Sequence, residues 1–172
     1  VDALPTHFER TVAMGGQEGL CILRKCLLPQ LSFIIRTHPP ALTRDCCLIF
    51  DEQLLKCLEA YAQAPISDKC NGIRKLPTRL GGLGLVDVND IAQHAYEASV
   101  ETSRVDISLK PEAFREAISE VKPQSKRTEG IYAELLQSLT TADEDTYNLL
   151  IDAATPGMLC LASAMLRLGQ AT

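Results

Sequence analysis

The chain is 172 residues long, 46% hydrophobic but only 5% aromatic, with no Trp and a formal net charge of −5. Such a length holds one domain with a sizeable core or two small helical units. An aliphatic, aromatic-poor composition suits helices packed through Leu, Ile and Ala better than a sheet. The charge is split: residues 1–86 carry ten Lys/Arg against eight Asp/Glu, and residues 87–172 seven against fourteen. That balance speaks against a freestanding nucleic-acid binder and leaves the first half as the part a polyanion would tolerate.

Gly15-Gly16 stops any helix begun near Pro5. A helical pattern then runs from Gln17 to about Thr37, with Leu20, Leu23, Leu27, Leu31 and Ile34 on one stripe. Glu18, Lys25, Ser32 and Arg36 take the narrow polar face. Pro29 has no backbone donor to give in mid-run, which predicts a kink. Pro39-Pro40 ends this element, because the residue before a proline is pushed out of the helical region. A second helix is expected over Ala41 to Gln63, with Cys47, Phe50, Leu54, Leu58 and Tyr61 inward and Asp45, Glu52, Lys56 and Glu59 outward.

A short helix near Ser67 to Ile73 leads into Leu76-Pro77-Thr78-Arg79-Leu80-Gly81-Gly82-Leu83-Gly84-Leu85. Asp87 is placed to cap a helix of about Val88 to Thr102, whose Ala92, Ala95, Ala98 and Ser99 permit close packing. The remainder reads as four shorter helices. Pro111 starts one carrying Phe114, Ala117 and Ile118. Lys122 to Lys126, with Pro123, is expected as a loop and linker, followed by a helix of about Thr128 to Leu139. Thr141-Ala142-Asp143-Glu144 matches a capping box that opens the next helix. Thr155-Pro156 starts the last, and Gly169 ends it.

No strand and no internal repeat is expected. The fold class is all-α: a bundle of about six to eight helices, with a Pro-kinked first long helix and a Gly-rich turn between helical halves. The units expected are residues 1–103 and an acidic 104–172, the second either separate or packed with the first as one domain.

Seven cysteines, at 21, 26, 46, 47, 57, 70 and 160, form no Cys-x-x-Cys pair, and His7, His38 and His94 stand at no zinc-ligand spacing from them. Buried free thiols in a reducing intracellular compartment (nucleus, cytoplasm or organelle interior) are expected, without metal or cofactor. The longest apolar run, Leu20 to Ile35, is broken by Arg24, Lys25, Pro29 and Gln30, so no membrane span is expected.

Gly82-x-Gly84 is followed by Asp87 where a dinucleotide fingerprint needs its third glycine, and no β-branched strand precedes it. Gly81, Gly82 and Gly84 are therefore read as a structural turn. Asp51 and Glu52 are adjacent on a helix and point to different sides, and Asp143 to Asp145 suits a helix start. No His stands near a Ser or Cys partner, so no catalytic residue is assigned. The basic residues fall into two groups, Arg24-Lys25 with Arg36 and Arg74-Lys75 with Arg79, which on one face would meet a nucleic-acid backbone.

Two blocks carry a resemblance. Leu20-Cys21-Ile22-Leu23-Arg24-Lys25-Cys26-Leu27-Leu28-Pro29 with Phe33-Ile34-Ile35-Arg36-Thr37-His38-Pro39-Pro40 is the first. Leu76 to Leu85 with Ala95-Tyr96-Glu97-Ala98-Ser99 is the second. In order and spacing, residues 17–100 resemble the thumb or connection segment downstream of the palm in retrotransposon-type (non-LTR-like) reverse transcriptases.

The resemblance implies a helical unit that packs beside a palm and holds template–primer duplex or RNA, with basic character kept at Arg24, Arg36 and Arg79. Gln30 stands where that family usually has arginine, and Phe33 where it has tyrosine. The family's paired aspartates and their upstream partner have no counterpart, so the chain is expected to be no enzyme. At most it is an accessory part of an RNA-directed DNA polymerase. It is expected to be a piece of a larger protein or a remnant kept for another job, the alternative being a domesticated scaffold within a protein assembly.

Overall fold

A computed structural model describes residues 4–105, 111–120 and 123–142. All regular structure among them is helical, with no strand. The elements are α1 (Leu4–Ala13), α2 (Gly16–Ile22), a π turn (Leu23–Leu27), α3 (Leu28–Thr37), α4 (Pro40–Ala62), α5 (Asp68–Lys75), a 3-10 turn (Thr78–Leu80), α6 (Val88–Ser103), α7 (Pro111–Glu120) and α8 (Gln124–Ala142). The all-α expectation holds.

The first long helix differs in one instructive way. α2, the π turn and α3 run on without a break, and the Leu28 N–H reaches back to the Leu23 carbonyl, five residues away. A π turn holds one more residue than an α turn, so the chain meets Pro29 at the start of α3, where a missing N–H is tolerated. The underwound turn also moves the buried stripe by one position. Leu23, Leu27, Leu31 and Ile35 are buried at intervals of four, while Ile34 is only half-buried.

α6 sits at the centre, packed on both α3 and α4. Its buried Ala92, Ala95 and Ala98 let those helices approach closely. Phe50, Leu54 and Leu58 of α4 are almost fully buried, and the Phe8 ring of α1 meets Phe50 edge-on at 5.2 Å. The Tyr61 hydroxyl donates to the Thr11 carbonyl at 2.6 Å, tying α1 to the end of α4. Gly19 lies against that hydroxyl, where a Cβ would approach to 1.8 Å.

α8 begins earlier than expected. The loop ends at Pro123, and Gln124 to Lys126 are already helical, so Lys122 to Lys126 is no linker in its described part. Thr141 lies in the last turn of α8, its hydroxyl donating to the Gln137 carbonyl at 2.8 Å, not at a helix start. Leu139 packs on Ile73 and Leu76, and Arg127 pairs with Glu97 and Glu101 of α6. Of the second unit, α8 thus lies on the first, against α5 and α6. The helices expected beyond Thr141, including the one at Thr155-Pro156, lie outside the described residues.

Candidate nucleic-acid interface

The six basic residues singled out above separate into two groups with different surroundings. Along the first rod, the four-residue spacing of the buried row places Arg24, Leu28, Ser32 and Arg36 in the row beside it. Lys25, Pro29, Phe33 and Thr37 form the next row, all exposed. In an uninterrupted α-helix, residues twelve apart lie about a third of a turn from each other. The π turn brings Arg24 and Arg36 onto one side. Their separation along the axis is about 18 Å at a rise of ~1.5 Å per residue, the length of about five nucleotide steps of ~3.4 Å.

Phe33 is 70% exposed and stands one helical turn before Arg36. The sequence pattern alone does not mark it as an outward aromatic, because it falls within an apolar run whose register the π turn decides.

Arg24 crosses to the glycine loop and donates to the Thr78 hydroxyl at 3.2 Å. Arg79, next in sequence, is exposed. Burial raises the pKa of the Tyr132 phenol on α8, and the Arg79 charge partly offsets it. Arg36 donates to the Gln124 side chain at 3.0 Å on the surface. Arg24, Lys25, Arg36 and Arg79 therefore remain on or near the surface.

Arg74 and Lys75 are used inside the fold. Arg74 is only 3% exposed. Its guanidinium donates to the Leu85 carbonyl at 2.6 Å, to Asp87 Oδ1 at 2.5 Å and to Asn71 Oδ1 at 2.7 Å. The Lys75 ammonium reaches Asp87 Oδ2 at 2.6 Å and Asp90 Oδ2 at 3.1 Å. Burial lowers the Lys75 pKa, but the bonds to Asp87 and Asp90 outweigh it and hold it above its ordinary value. The expectation that these two residues face a phosphate backbone is corrected: they clamp α5 to the start of α6.

The glycine turn explains the clamp. Gly81 and Gly84 adopt φ of 80° and 66°, the left-handed region where glycine is unstrained. Gly82 presses on the chain end of α5: a Cβ there would lie 2.1 Å from the Leu76 carbonyl oxygen. The loop folds back so that the Gly84 N–H reaches the Leu76 carbonyl at 2.8 Å and the Leu85 N–H the Arg74 carbonyl at 2.9 Å. Arg74 and Leu85 thus exchange two bonds. A helix, not a strand, feeds this bend.

One functional side chain escaped sequence reasoning. Asp87 occupies the N-cap position of α6 but makes no cap bond, because its carboxylate is held by Arg74 and Lys75. Asp51 of α4 takes over, accepting the Val88 N–H at 2.7 Å and the Asn89 N–H at 3.0 Å. A signal existed: Asp51 lies four residues after Cys47 and three before Leu54, both buried, so an acid stands in an apolar stripe and needs a partner.

Among the described residues no cluster of His, Cys, Asp or Glu is arranged to hold a metal ion, and no helix is long and apolar enough to cross a membrane. The six described cysteines are free; Cys47 and Cys57 are buried, whereas Cys21 and Cys26 are exposed, contrary to the expectation of buried thiols.

No protein-family profile and no solved structure matches the chain. Over 80 residues it is 26% identical to a protein of Trypanosoma brucei gambiense named retrotransposable element SLACS 132 kDa protein. That alignment covers 46% of this chain and 7% of that protein. The chain is thus an all-α protein with a distant likeness to a retrotransposon protein.

Proposed function

We propose that this chain is a non-catalytic helical unit derived from a retroelement reverse transcriptase, and that it contacts an RNA–DNA duplex or RNA through Arg24, Lys25, Arg36 and Arg79. The observation that carries the reading is the alignment of Arg24 and Arg36 on one side of a single rod, with exposed Lys25 and Phe33 in the adjoining row. Cations at that spacing reach phosphates about five nucleotide steps apart, and each phosphate neutralised releases counterions. The likeness to a retrotransposon protein supports the same origin. Arg74 and Lys75 take no part.

The test is fluorescence anisotropy of a labelled RNA–DNA hybrid against the chain over a range of salt. Binding that weakens with salt, and whose salt slope flattens when Arg24, Arg36 and Arg79 are changed to Ala, bears the reading out. Absence of binding at low salt sinks it. A second reading, a scaffold within a protein assembly, rests on the apolar exposure of Leu42, Leu48 and Ile49 on α4.

A further inference from the structure

Where the first rod meets the glycine loop there is a groove of about 260 Å³, lined by Gln17, Leu20, Cys21, Arg24, Lys25, Leu83 and Leu85. Leu20, Leu83 and Leu85 make its floor aliphatic, and no aromatic ring lines it. Two cations stand beside that floor.

Arg24, like Arg36 with its Gln124 partner, differs from the ion-paired cations of the fold. Arg74, Lys75, Arg127 and Lys56 each hold an Asp or Glu. Arg24 is held by a neutral hydroxyl, that of Thr78. Among the described residues neither Arg24 nor Lys25 forms an ion pair with a carboxylate. The guanidinium also lies along the loop: a Cβ on Gly84 would sit 3.3 Å from Arg24 Nε. The arginine is therefore positioned in advance, with its charge uncompensated by any ion pair, next to an aliphatic surface. Its complement is a ligand that joins an aliphatic body to a carboxylate.

Size narrows the ligand further. Small-molecule sites run from about 300 Å³ upward and enclose most of their ligand, whereas this groove is smaller and open. It takes one or two side chains of a longer chain. A stacked base is held best over an aromatic face, and this floor is leucine.

We propose that the groove docks an acidic–aliphatic peptide segment of a protein partner. A Leu or Ile side chain seats against Leu20, Leu83 and Leu85, and a neighbouring Asp or Glu bonds to Arg24 and Lys25. This inference does not rest on the nucleic-acid reading, but it draws on the same Arg24 and Lys25, so peptide and nucleic acid compete for them.

The experiment titrates the full chain against three fluorescein-labelled peptides, one of Glu and Leu, one with Gln for Glu, and one with Ala for Leu. A labelled RNA oligonucleotide is the fourth probe. Two variants at exposed positions are compared, Lys25→Glu to reverse a rim charge and Cys21→Trp to fill the groove. Circular dichroism confirms that both fold.

Saturable binding of the Glu/Leu peptide is expected, weaker by about tenfold or more in either variant, a difference of ~1.4 kcal/mol. The two altered peptides bind correspondingly less, and Cys21→Trp leaves RNA binding as it was. Equal binding of all three peptides, or indifference to Cys21→Trp, overturns the proposal. So does loss of RNA binding in Cys21→Trp without peptide binding to the parent chain, which gives the groove to nucleic acid. Self-association of the chain that Cys21→Trp abolishes gives it to a second copy and also overturns it.

Discussion

The carboxylate of Asp51 on α4 accepts the N–H of Val88 at 2.7 Å, so the first turn of α6 is capped from a helix 37 residues upstream. Burial pushes the Asp51 pKa from its ordinary 3.8 up to about 6; the Asn89 and Val88 N–H bonds oppose this, and the nearby Asp87 and Asp90 carboxylates add to it. The folded chain then holds this proton more tightly than the unfolded chain. Stability from this site is fully present below about pH 4 and is lost as pH rises through about 6. Urea unfolding across that window, on the parent chain and on Asp51→Asn, should show a pH slope that the Asn variant lacks. Asp51→Ala, which removes the cap at any pH, should cost about 1–2 kcal/mol.

Arg74→Ala should be among the most damaging single changes. It leaves the Leu85 carbonyl without its Arg74 donor and the Asp87 carboxylate short of a partner in a covered position. Breaking such a pair costs about 3–5 kcal/mol. Arg24→Ala removes only one bond to a hydroxyl at the surface and should cost well under half as much. Chemical denaturation of the two variants side by side measures the contrast.

Two glycines should respond in opposite directions to alanine. At Gly82 the new methyl would lie 2.1 Å from the Leu76 oxygen and 2.5 Å from its Cβ, so the loop must open and Arg74 lose its register with Leu85. At Gly130, in the middle of α8, a Cβ meets nothing within 4 Å. There alanine should stabilise by about 0.5–1 kcal/mol through helix propensity. Thermal unfolding followed by circular dichroism should show Tm falling for Gly82→Ala and rising for Gly130→Ala.

The thiols should divide into fast and slow classes. Cys21 and Cys26 are exposed and should alkylate first. Cys57 is buried, and burial pushes its pKa up to about 11 despite an opposing bond to Tyr61. Cys47 is raised likewise, chiefly by burial. Timed iodoacetamide labelling at pH 8, read by peptide mass spectrometry, should modify Cys21 and Cys26 well before Cys47 and Cys57, and denaturant should erase the difference.

Much of the fold was legible without coordinates. Cys47, Phe50, Leu54 and Leu58 recur at helical spacing and are all buried, and Pro39-Pro40 marks the turn between α3 and α4. The candidate surface was legible only as a list of basic residues. Arg74 and Arg79 look alike on paper, yet one is buried among three acceptors and the other exposed. No local pattern separates them, because the Asp87 and Leu85 groups that hold Arg74 arrive only when the glycine loop folds back.

Periodicity, proline placement and composition by themselves determined that this protein is helical and where most helices begin, since those follow from backbone sterics and the burial of aliphatic stripes over a few turns. Tertiary structure alone decided which charges stay outside. The π turn rotates Arg36 into line with Arg24, and the loop at Gly81 to Gly84 carries the Leu85 carbonyl and Asp87 back onto Arg74. Both depend on long-range packing, where a charge remains buried only if distant acceptors converge on it.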